Sequence, residues 1–351
     1  MRLDPAGKLL PKRSRRAVRS RALLAAALGL AVLGAAGCGG SASAGGSVSS
    51  TVTIAAVPGV DNAPIYLAKK EGLFAAAGLK NVVIKSYPNQ TEELLALQSA
   101  QADIAASDYG SVFYQQAKAQ NLRILGDGYD AAAGILAVLT LPTSSIKSPD
   151  DLAGQTVGLP SDSVLQGIER SNGPNSSVPI SLAAAAATQV LQNYLGNNVE
   201  SVHWDPMSQA QEVAWLEQGR LKAILVGEPY IYEAESQAGA VEVMDACSGS
   251  TANLPLSGYV AMDAWVKQNP AAVADFQQAL ANAQANASMT GQVQQLLPSA
   301  TGMSAQDADL ITIGSYPTST NVLSLERVQR LMKDLGMLPS YPPVPPMVVH
   351  S

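Results

Sequence analysis

Strand-like and helix-like segments alternate along residues 51–245, and this alternation restricts the possible fold more than any other feature of the chain. Short, β-branched apolar runs are followed by stretches whose apolar residues recur every three or four positions, as in amphipathic helices. Such an order favours mostly parallel sheets with helices on both faces. The pattern restarts near residue 156, which predicts two α/β lobes. The predicted strands are residues 51–57, 82–87, 103–106, 122–126, 135–141, 156–159, 199–204, 221–226 and 241–244.

Predicted helices fill the intervals between these strands. The helix at 63–76 is stopped by Gly78, and the helix at 91–100 has Thr91 as a candidate N-cap. Glu92 and Glu93 form an acidic first turn, which the helix dipole favours. Further helices are predicted at residues 110–119, 182–195, 208–218, 231–237 and 324–335, and two others begin at Pro270 and after Ser304.

The first 37 residues have the pattern of an export signal. Eight basic residues lead into the apolar segment 22–36, which is shorter than the ~20 residues that a membrane-spanning helix needs. Small residues precede Cys38, and this site resembles the lipobox of bacterial lipoproteins. We therefore expect a signal peptide at 1–37 and lipidation at Cys38, with a plain secreted protein as the alternative. Arg15 and Arg16 leave twin-arginine export open.

Residues 38–50 are rich in glycine and serine and are expected to form a flexible tether. Removal of residues 1–37 takes away eight of the 22 basic residues and one of the 28 acidic ones, which leaves a net charge of −13. A surface of this charge argues against nucleic acid as a partner. We expect the protein to be held at the outer face of the cell membrane by its lipid.

Cysteine and histidine are scarce. If Cys38 is lipidated, Cys247 has no intrachain partner, and we expect it to be a small structural residue. His203 and His350 lie far apart in the sequence, so neither a zinc site nor a Cys–His pair is predicted. We expect no cofactor and no metal.

Several segments, in their order and spacing, resemble those of the substrate-binding proteins of bacterial ABC importers. The resemblance is to the branch that takes up nitrate, sulfonates, taurine and thiamine pyrimidine precursors, and it spans about residues 51–340. The segments are APIYLAKKEGLF (63–74), ADIAASD (102–108), IKSPDDLAG (146–154), AILVGEPY (223–230) and SLERVQRLMKDLG (324–336).

This resemblance implies a two-lobed α/β fold of the type II periplasmic binding proteins, with two hinge crossings. The first lobe would comprise residues 51–141 and 258–351, and the second lobe residues 142–257. The crossings would lie near Leu141-Pro142 and Ser257-Gly258. A small ligand would sit between lobes that close by a hinge motion. The implied partner is a membrane permease, and we expect a monomer.

The position of the ligand also follows from the predicted sheets. Ligands of open parallel sheets bind beyond the carboxyl ends of the strands, where helix N-termini offer free N–H groups. The loops at these ends supply the candidate ligand-binding residues Asp61, Asn62, Asn89, Gln90, Ser107, Asp108, Tyr109, Ser161, Asp162, Ser163, Asp205, Glu228 and Tyr230.

These loops contain acidic residues and lack lysine and arginine. Buried, unpaired carboxylates beside an anion would cost several kcal/mol, so we expect a neutral or cationic nitrogenous ligand, such as a thiamine-type aminopyrimidine. A sulfonate, taurine or nitrate ligand is the alternative. Asp61, Asn62 and Asp108 could instead cap the helices that follow them. Tyr66, Tyr109, Tyr230 and Trp204 could stack on a ring or belong to the core.

Two further features bear on function. A polar insertion at residues 166–179 would overhang the cleft mouth, where it could act as a lid. Some proteins of this architecture are enzymes, such as pyrimidine synthases, dehydratases and desulfinases. The chain shows no Ser/His/Asp spacing, Gly-rich phosphate loop or cluster of metal ligands, so we predict a binding protein rather than an enzyme.

Overall fold

The computed structural model describes residues 51–161 and 179–350. Several predictions therefore lie outside the described residues. They are the signal peptide at 1–37, the tether at 38–50 with Cys38, the site candidates Asp162 and Ser163, and residues 166–178 of the insertion.

Two mixed sheets form the framework. The first has the strand order β2-β1-β3-β10-β4, and β10 runs antiparallel to both of its neighbours. Its strands are β1 (Val52–Ala56), β2 (Val82–Ser86), β3 (Ile104–Asp108), β4 (Leu122–Asp130) and β10 (Pro255–Met262).

The second sheet repeats this arrangement with the order β7-β6-β8-β5-β9, in which β5 is the antiparallel strand. Its strands are β5 (Leu136–Thr140), β6 (Thr156–Pro160), β7 (His203–Met207), β8 (Ala223–Gly227) and β9 (Val241–Asp245). The fold is therefore the two-lobed α/β fold that the sequence predicts.

The connections between the sheets lie before the positions expected from the sequence. β5 pairs with β8 and β9, so the first connection is residues 131–135 rather than Leu141-Pro142. β10 already pairs with β4 at Pro255, so the second connection is residues 246–254 rather than Ser257-Gly258. Each sheet thus contains one strand that directly follows a strand of the other sheet along the chain. This strand is β5 in the second sheet and β10 in the first, and in both cases it is the antiparallel one. Local sequence patterns do not reveal that exchange.

Helices cover both faces of each sheet. The predicted helix at 63–76 is divided in two, because Gly72 adopts a left-handed φ of 70° after the first part ends. The helices are α1 (Ala63–Lys70), α2 (Leu73–Ala77), α3 (Gln90–Gln98), α4 (Tyr109–Ala117), α5 (Leu182–Leu195), α6 (Gln209–Glu217), α7 (Tyr230–Ala238), α8 (Asp263–Gln268), α9 (Pro270–Ala287), α10 (Thr290–Thr301), α11 (Ala305–Ala308) and α12 (Val322–Asp334).

The C-terminal helices return to the first lobe. α9 packs on α1 and α2, α10 packs on α1, and α12 packs on α4. α5 of the second lobe also contacts α4 and α12, and the largest apolar cluster contains Phe113, Val138 and Leu191 from both lobes. Burial of these side chains is the main stabilising contribution. Within the described ranges, no helix has both the length and the apolar character needed to cross a bilayer.

Candidate binding cleft

A cavity of about 570 Å³ lies between the two lobes. Its wall contains the ends of β1, β3 and β8, as the strand-end rule predicts, together with residues 301–307 of the C-terminal segment. The volume falls within the range of about 300–1,000 Å³ that is typical of sites for small molecules. Ile135, Leu136 and Leu256 supply apolar surface where the chain crosses between the sheets.

Five of the predicted site residues line this cavity. They come from both lobes and are Asp61, Gln90, Asp108, Glu228 and Tyr230. The first three belong to the first lobe, and the last two lie at the start of α7 in the second lobe. The structure thus brings together residues that are up to 169 positions apart in the sequence.

Four other predicted residues support the wall from behind. Asn62 is buried and donates to the Val57 carbonyl at 2.8 Å, and Asn89 accepts from the Glu92 N–H at 2.9 Å as the N-cap of α3. The cap is therefore Asn89 rather than Thr91. Ser107 donates to Gln90 Oε1, and Tyr109 is fully buried with its hydroxyl bonded to Asp127.

Two more predicted residues are not part of the cavity wall. Asp205 is exposed and lies inside β7, because this strand continues to Met207. Ser161 follows β6 next to Pro160, and it is Pro160 that reaches the cavity. β7 spans His203–Met207 rather than the predicted 199–204, so Asp205 lies in the strand and not in a loop.

The helices that begin at the cleft satisfy N–H groups of their first turns with side chains of the chain itself. Asp108 Oδ1 accepts from Ser111 N at 2.9 Å, and Ser181 Oγ accepts from Ala184 N at 3.3 Å. Ser208 Oγ accepts from Gln211 N at 3.3 Å, and Glu228 Oε2 accepts from Tyr232 N at 3.2 Å. Such first-turn N–H groups are the usual anion-binding groups of this architecture. Two of these four partners are carboxylates, which an anion would have to approach.

Two glutamines at the cleft hold the tips of the neighbouring strands. Gln90 Oε1 accepts from Ser107 Oγ at 2.8 Å and from Asp108 N at 3.2 Å. Gln209 Oε1 accepts from Gly227 N at 2.9 Å. Gln209 was missed from the sequence, although it directly follows the N-cap of α6 as Gln90 follows the N-cap of α3. These bonds fix the ends of β3 and β8 on opposite sides of the cavity.

The charged side chains of the cavity wall are all acidic. Among the described residues that line it there is no lysine, arginine or histidine. Glu233 of α7 and Asp307 of α11 were missed from the sequence, because the return of the C-terminal segment to the cleft has no local signature. Burial, and secondly Asp307, raises the pKa of Glu233. The five carboxyl groups belong to Asp61, Asp108, Glu228, Glu233 and Asp307.

Glu228 connects the second lobe to the C-terminal segment. Its Oε1 accepts from Thr312 N at 3.0 Å, while its Oε2 caps α7. The segment after Thr312 is attached to the first lobe, since Gly314 N donates to Tyr129 Oη and Tyr316 Oη donates to the Val60 carbonyl. Burial raises the pKa of Glu228, and the two N–H groups lower it. Glu228 therefore joins the two sides of the cleft and also contributes to its acidic wall.

Glu93 is a sixth acidic residue, and it lies directly behind the wall. It is fully buried, with 0% of its surface exposed. Burial raises its pKa well above the usual value, and Asp108 and Asp61 raise it further, while the backbone N–H of Val57 lowers it. Its predicted place in the first turn of α3 is confirmed, and its burial results from the packing of α3 against β1 and β3 on this side.

Cys247, the cysteine of the described residues, has the environment of a structural side chain. Cys247 is 3% exposed, and burial followed by Asp245 raises the pKa of its thiol to about 12, so a reactive thiolate is disfavoured. No group of three histidine, cysteine or acidic side chains suited to a metal ion occurs in the described part of the chain.

Fold and cleft together match the two-lobed α/β fold of the periplasmic binding proteins. The sequence profile of the NMT1/THI5-like family matches residues 60–289, and the chain belongs to this family. Curated protein sequences provide no significant match.

Solved structures of the same fold include binding proteins and an enzyme. The alkanesulfonate-binding protein SsuA from Xanthomonas axonopodis pv. citri, bound to MOPS, shares 14% identity over 86% of this chain and 98% of its own, with a TM-score of 0.67. The ligand-binding component of an ABC-type import system from Staphylococcus aureus shares 15% over 86% and 96%, with a TM-score of 0.68. The desulfurization enzyme DSZB shares 17% over 84% and 94%, with a TM-score of 0.60. These identities establish a common fold.

Proposed function

We propose that the protein is the extracytoplasmic solute-binding component of an ABC import system and that it captures a neutral or cationic nitrogenous compound. A thiamine-type aminopyrimidine is the favoured ligand. The observation that carries this proposal is the acidic wall of the inter-lobe cavity, in which five carboxyl groups are accompanied by no basic side chain of the described residues. Amino groups can donate to these carboxylates, whereas an anion would leave them buried beside a like charge.

The self-capped helices support the same choice of ligand. A sulfonate or nitrate site needs positive charge or a cluster of free N–H donors. Here the first-turn N–H groups of Ser111 and Tyr232 are held by Asp108 and Glu228. An anion would therefore have to displace a carboxylate from each of these helix N-termini.

The remaining parts of the proposal concern delivery. Lipidation at Cys38 and the tether at 38–50 would hold a monomer at the outer face of the membrane, close to its permease. The lobes would close on the solute and present it to that permease. The hydrogen bond from Thr312 N to Glu228 joins the second lobe to a segment packed on the first, which suits a closed form.

Calorimetric titration with aminopyrimidines, alkanesulfonates and nitrate tests the proposal, together with mass spectrometry of any small molecule that copurifies. We expect binding of a nitrogenous compound and at least a tenfold loss of affinity, about 1.4 kcal/mol, in Asp61→Asn. Asp205→Asn is the matched control, because Asp205 is an exposed acid outside the cavity wall. Tight binding of a sulfonate or nitrate alone would refute the proposed ligand class.

A further inference from the structure

Glu93 is a buried acidic residue, and the hydrogen bonds of the fold do not explain why an acid occupies this position. Neither of its carboxyl oxygens makes a hydrogen bond of ordinary distance and angle with a described residue, although the side chain is fully buried. The Val57 N–H makes only a weak contact with this side chain. A buried carboxylate so poorly partnered is costly, and such groups are usually paired or protonated. Its nearest charged neighbours, Asp61 and Asp108, are also acidic and both line the cavity.

The groups around Glu93 come from each element packed against it. Asp61 lies in the turn after β1, Asp108 ends β3, and Tyr66 faces it from α1. Tyr259 of β10 is fully buried nearby and interacts with Asp61 and Tyr66. These groups provide no positive charge, so the first lobe contains three carboxyl groups that cannot all be ionised without a compensating cation.

We propose that the ligand is an organic cation whose charged nitrogen lies against Asp61 and Asp108, and that its binding releases the proton of Glu93 to solvent. This inference rests on the proposed function and narrows it from nitrogenous compounds to protonated amines or amidines. One positive charge enters the site as one proton leaves, so the net charge of the site is unchanged. Glu93 does not contact the ligand. It affects binding through the charges of Asp61 and Asp108, the two aspartates that reach the cavity.

The geometry explains how a ligand that does not touch Glu93 can control its protonation. The buried position of Glu93 raises its pKa in the empty protein, where its neighbours are acidic. A cation beside Asp61 and Asp108 offsets their charge and favours the ionised form of Glu93. By linkage, affinity for the cation should then rise by up to about tenfold per pH unit between the pKa values of Glu93 in the bound and empty states.

Two pyrimidines that differ in one group provide the test. 4-Amino-5-aminomethyl-2-methylpyrimidine carries an ammonium group at neutral pH, and 4-amino-5-hydroxymethyl-2-methylpyrimidine has a neutral hydroxyl there. Titrations of the mature protein in two buffers of different ionisation enthalpy give the number of protons released. We expect the ammonium compound to bind at least about tenfold more tightly and, in a series of titrations across pH, to release up to one proton, while the hydroxymethyl compound releases none.

Glu93→Gln separates a charge role from a structural role. It should abolish proton release and flatten the pH dependence of affinity for the ammonium compound, while affinity for the hydroxymethyl compound stays within about twofold. Glu212→Gln is the matched control, since Glu212 is an equally buried glutamate at the same position of α6. If Glu93→Gln does not fold, proton release by the wild-type protein still decides the question.

Several results would overturn this inference. They are equal affinities of the two pyrimidines, failure of the ammonium compound to bind, and proton release that persists in Glu93→Gln. Binding of the hydroxymethyl compound but not of the ammonium compound would refute the cation while leaving the proposed nitrogenous ligand in place. Binding of alkanesulfonates alone would refute the proposed ligand class as well, so the two failures can be told apart.

Discussion

The two lobes use the same five-residue pattern at the cleft, a capping residue followed by Gln-x-x-Glu. In the first lobe the pattern begins with Asn89 and Gln90, and in the second with Ser208 and Gln209. Each glutamine accepts from the backbone N–H that lies 18 residues further along the chain, at the tip of the next strand. Each glutamate is fully buried. Equivalent local sequences thus produce equivalent junctions between helix and sheet in two separate sheets.

The surroundings of the two glutamates differ. Glu93 faces Asp61 and Asp108, whereas Glu212 lies against Gly158 of β6, where an added Cβ would come within 2.8 Å of its Oε2. The residue held by the glutamine is Asp108 in the first lobe and Gly227 in the second. The local five-residue pattern therefore determines the backbone geometry, while residues distant in sequence determine the charge around each buried glutamate. This difference places three neighbouring carboxyl groups, those of Asp61, Glu93 and Asp108, in the first lobe.

The largest difference between the lobes should appear in the pH dependence of stability. Asp127 of β4 is 3% exposed and accepts from the Tyr109 hydroxyl and from Asn321 N, and burial raises its pKa to about 6 from 3.8. The folded state therefore binds a proton more tightly than the unfolded state. Stability should be greatest below about pH 4 for this group and fall by about 3 kcal/mol as pH rises through 6.

Urea unfolding at half-unit steps from pH 4 to 8 measures this fall, and Asp127→Asn should remove most of it. Tyr109→Phe sharpens the assignment, because the Tyr109 hydroxyl lowers the pKa of Asp127. Its loss should move the fall in stability to higher pH. A pH profile that is the same in Asp127→Asn and in the wild type would show that Asp127 is not the source of the fall.

The sequence predicts the strands and helices well, because each has a local periodicity and recognisable ends. The exchange of β5 and β10 between the sheets was missed, since strand pairing depends on residues far apart in the chain. Asp61, Asp108 and Glu228 were found from the rule that sites lie at strand ends. Asp307 could not be found in that way, because only the packing of the C-terminal segment brings it to the cleft.

The case of Glu93 shows a second limit of sequence reasoning. A glutamate in the first turn of a helix is favoured by the helix dipole, and this argument treats the helix as isolated. Burial of Glu93 arises from contacts of α3 with β1 and β3, so its altered pKa is a tertiary property. The sequence did contain one signal of a special role for this glutamate. The pattern Gln-x-x-Glu stands at the start of two helices, from Gln90 to Glu93 in α3 and from Gln209 to Glu212 in α6.

The two glutamines should contribute unequally to stability. Gln90 is 8% exposed and serves two donors, Ser107 Oγ and Asp108 N, whereas Gln209 is half-buried and bonds Gly227 N. Loss of a buried acceptor leaves its donors unsatisfied, at a cost of about 1–3 kcal/mol. We expect Gln90→Ala to lower the free energy of unfolding by about 2 kcal/mol or more, and Gln209→Ala by about 1 kcal/mol. Urea unfolding midpoints at pH 7 measure both, and equal or reversed costs would contradict the role assigned to burial.

The smallest effects should come from the two helix caps, and they test whether the repeated pattern is equivalent. Asn89 Oδ1 accepts from Glu92 N at 2.9 Å, and Ser208 Oγ accepts from Gln211 N at 3.3 Å. Replacement of either cap by alanine should cost about 1 kcal/mol, since one first-turn N–H loses its partner. Asn89→Ser and Ser208→Asn exchange the caps, and each should change thermal stability by less than about 0.5 kcal/mol, because asparagine and serine are comparable at this position. A large loss in one exchange alone would mean that the surrounding lobe, and not the five-residue pattern, determines the helix start at that site.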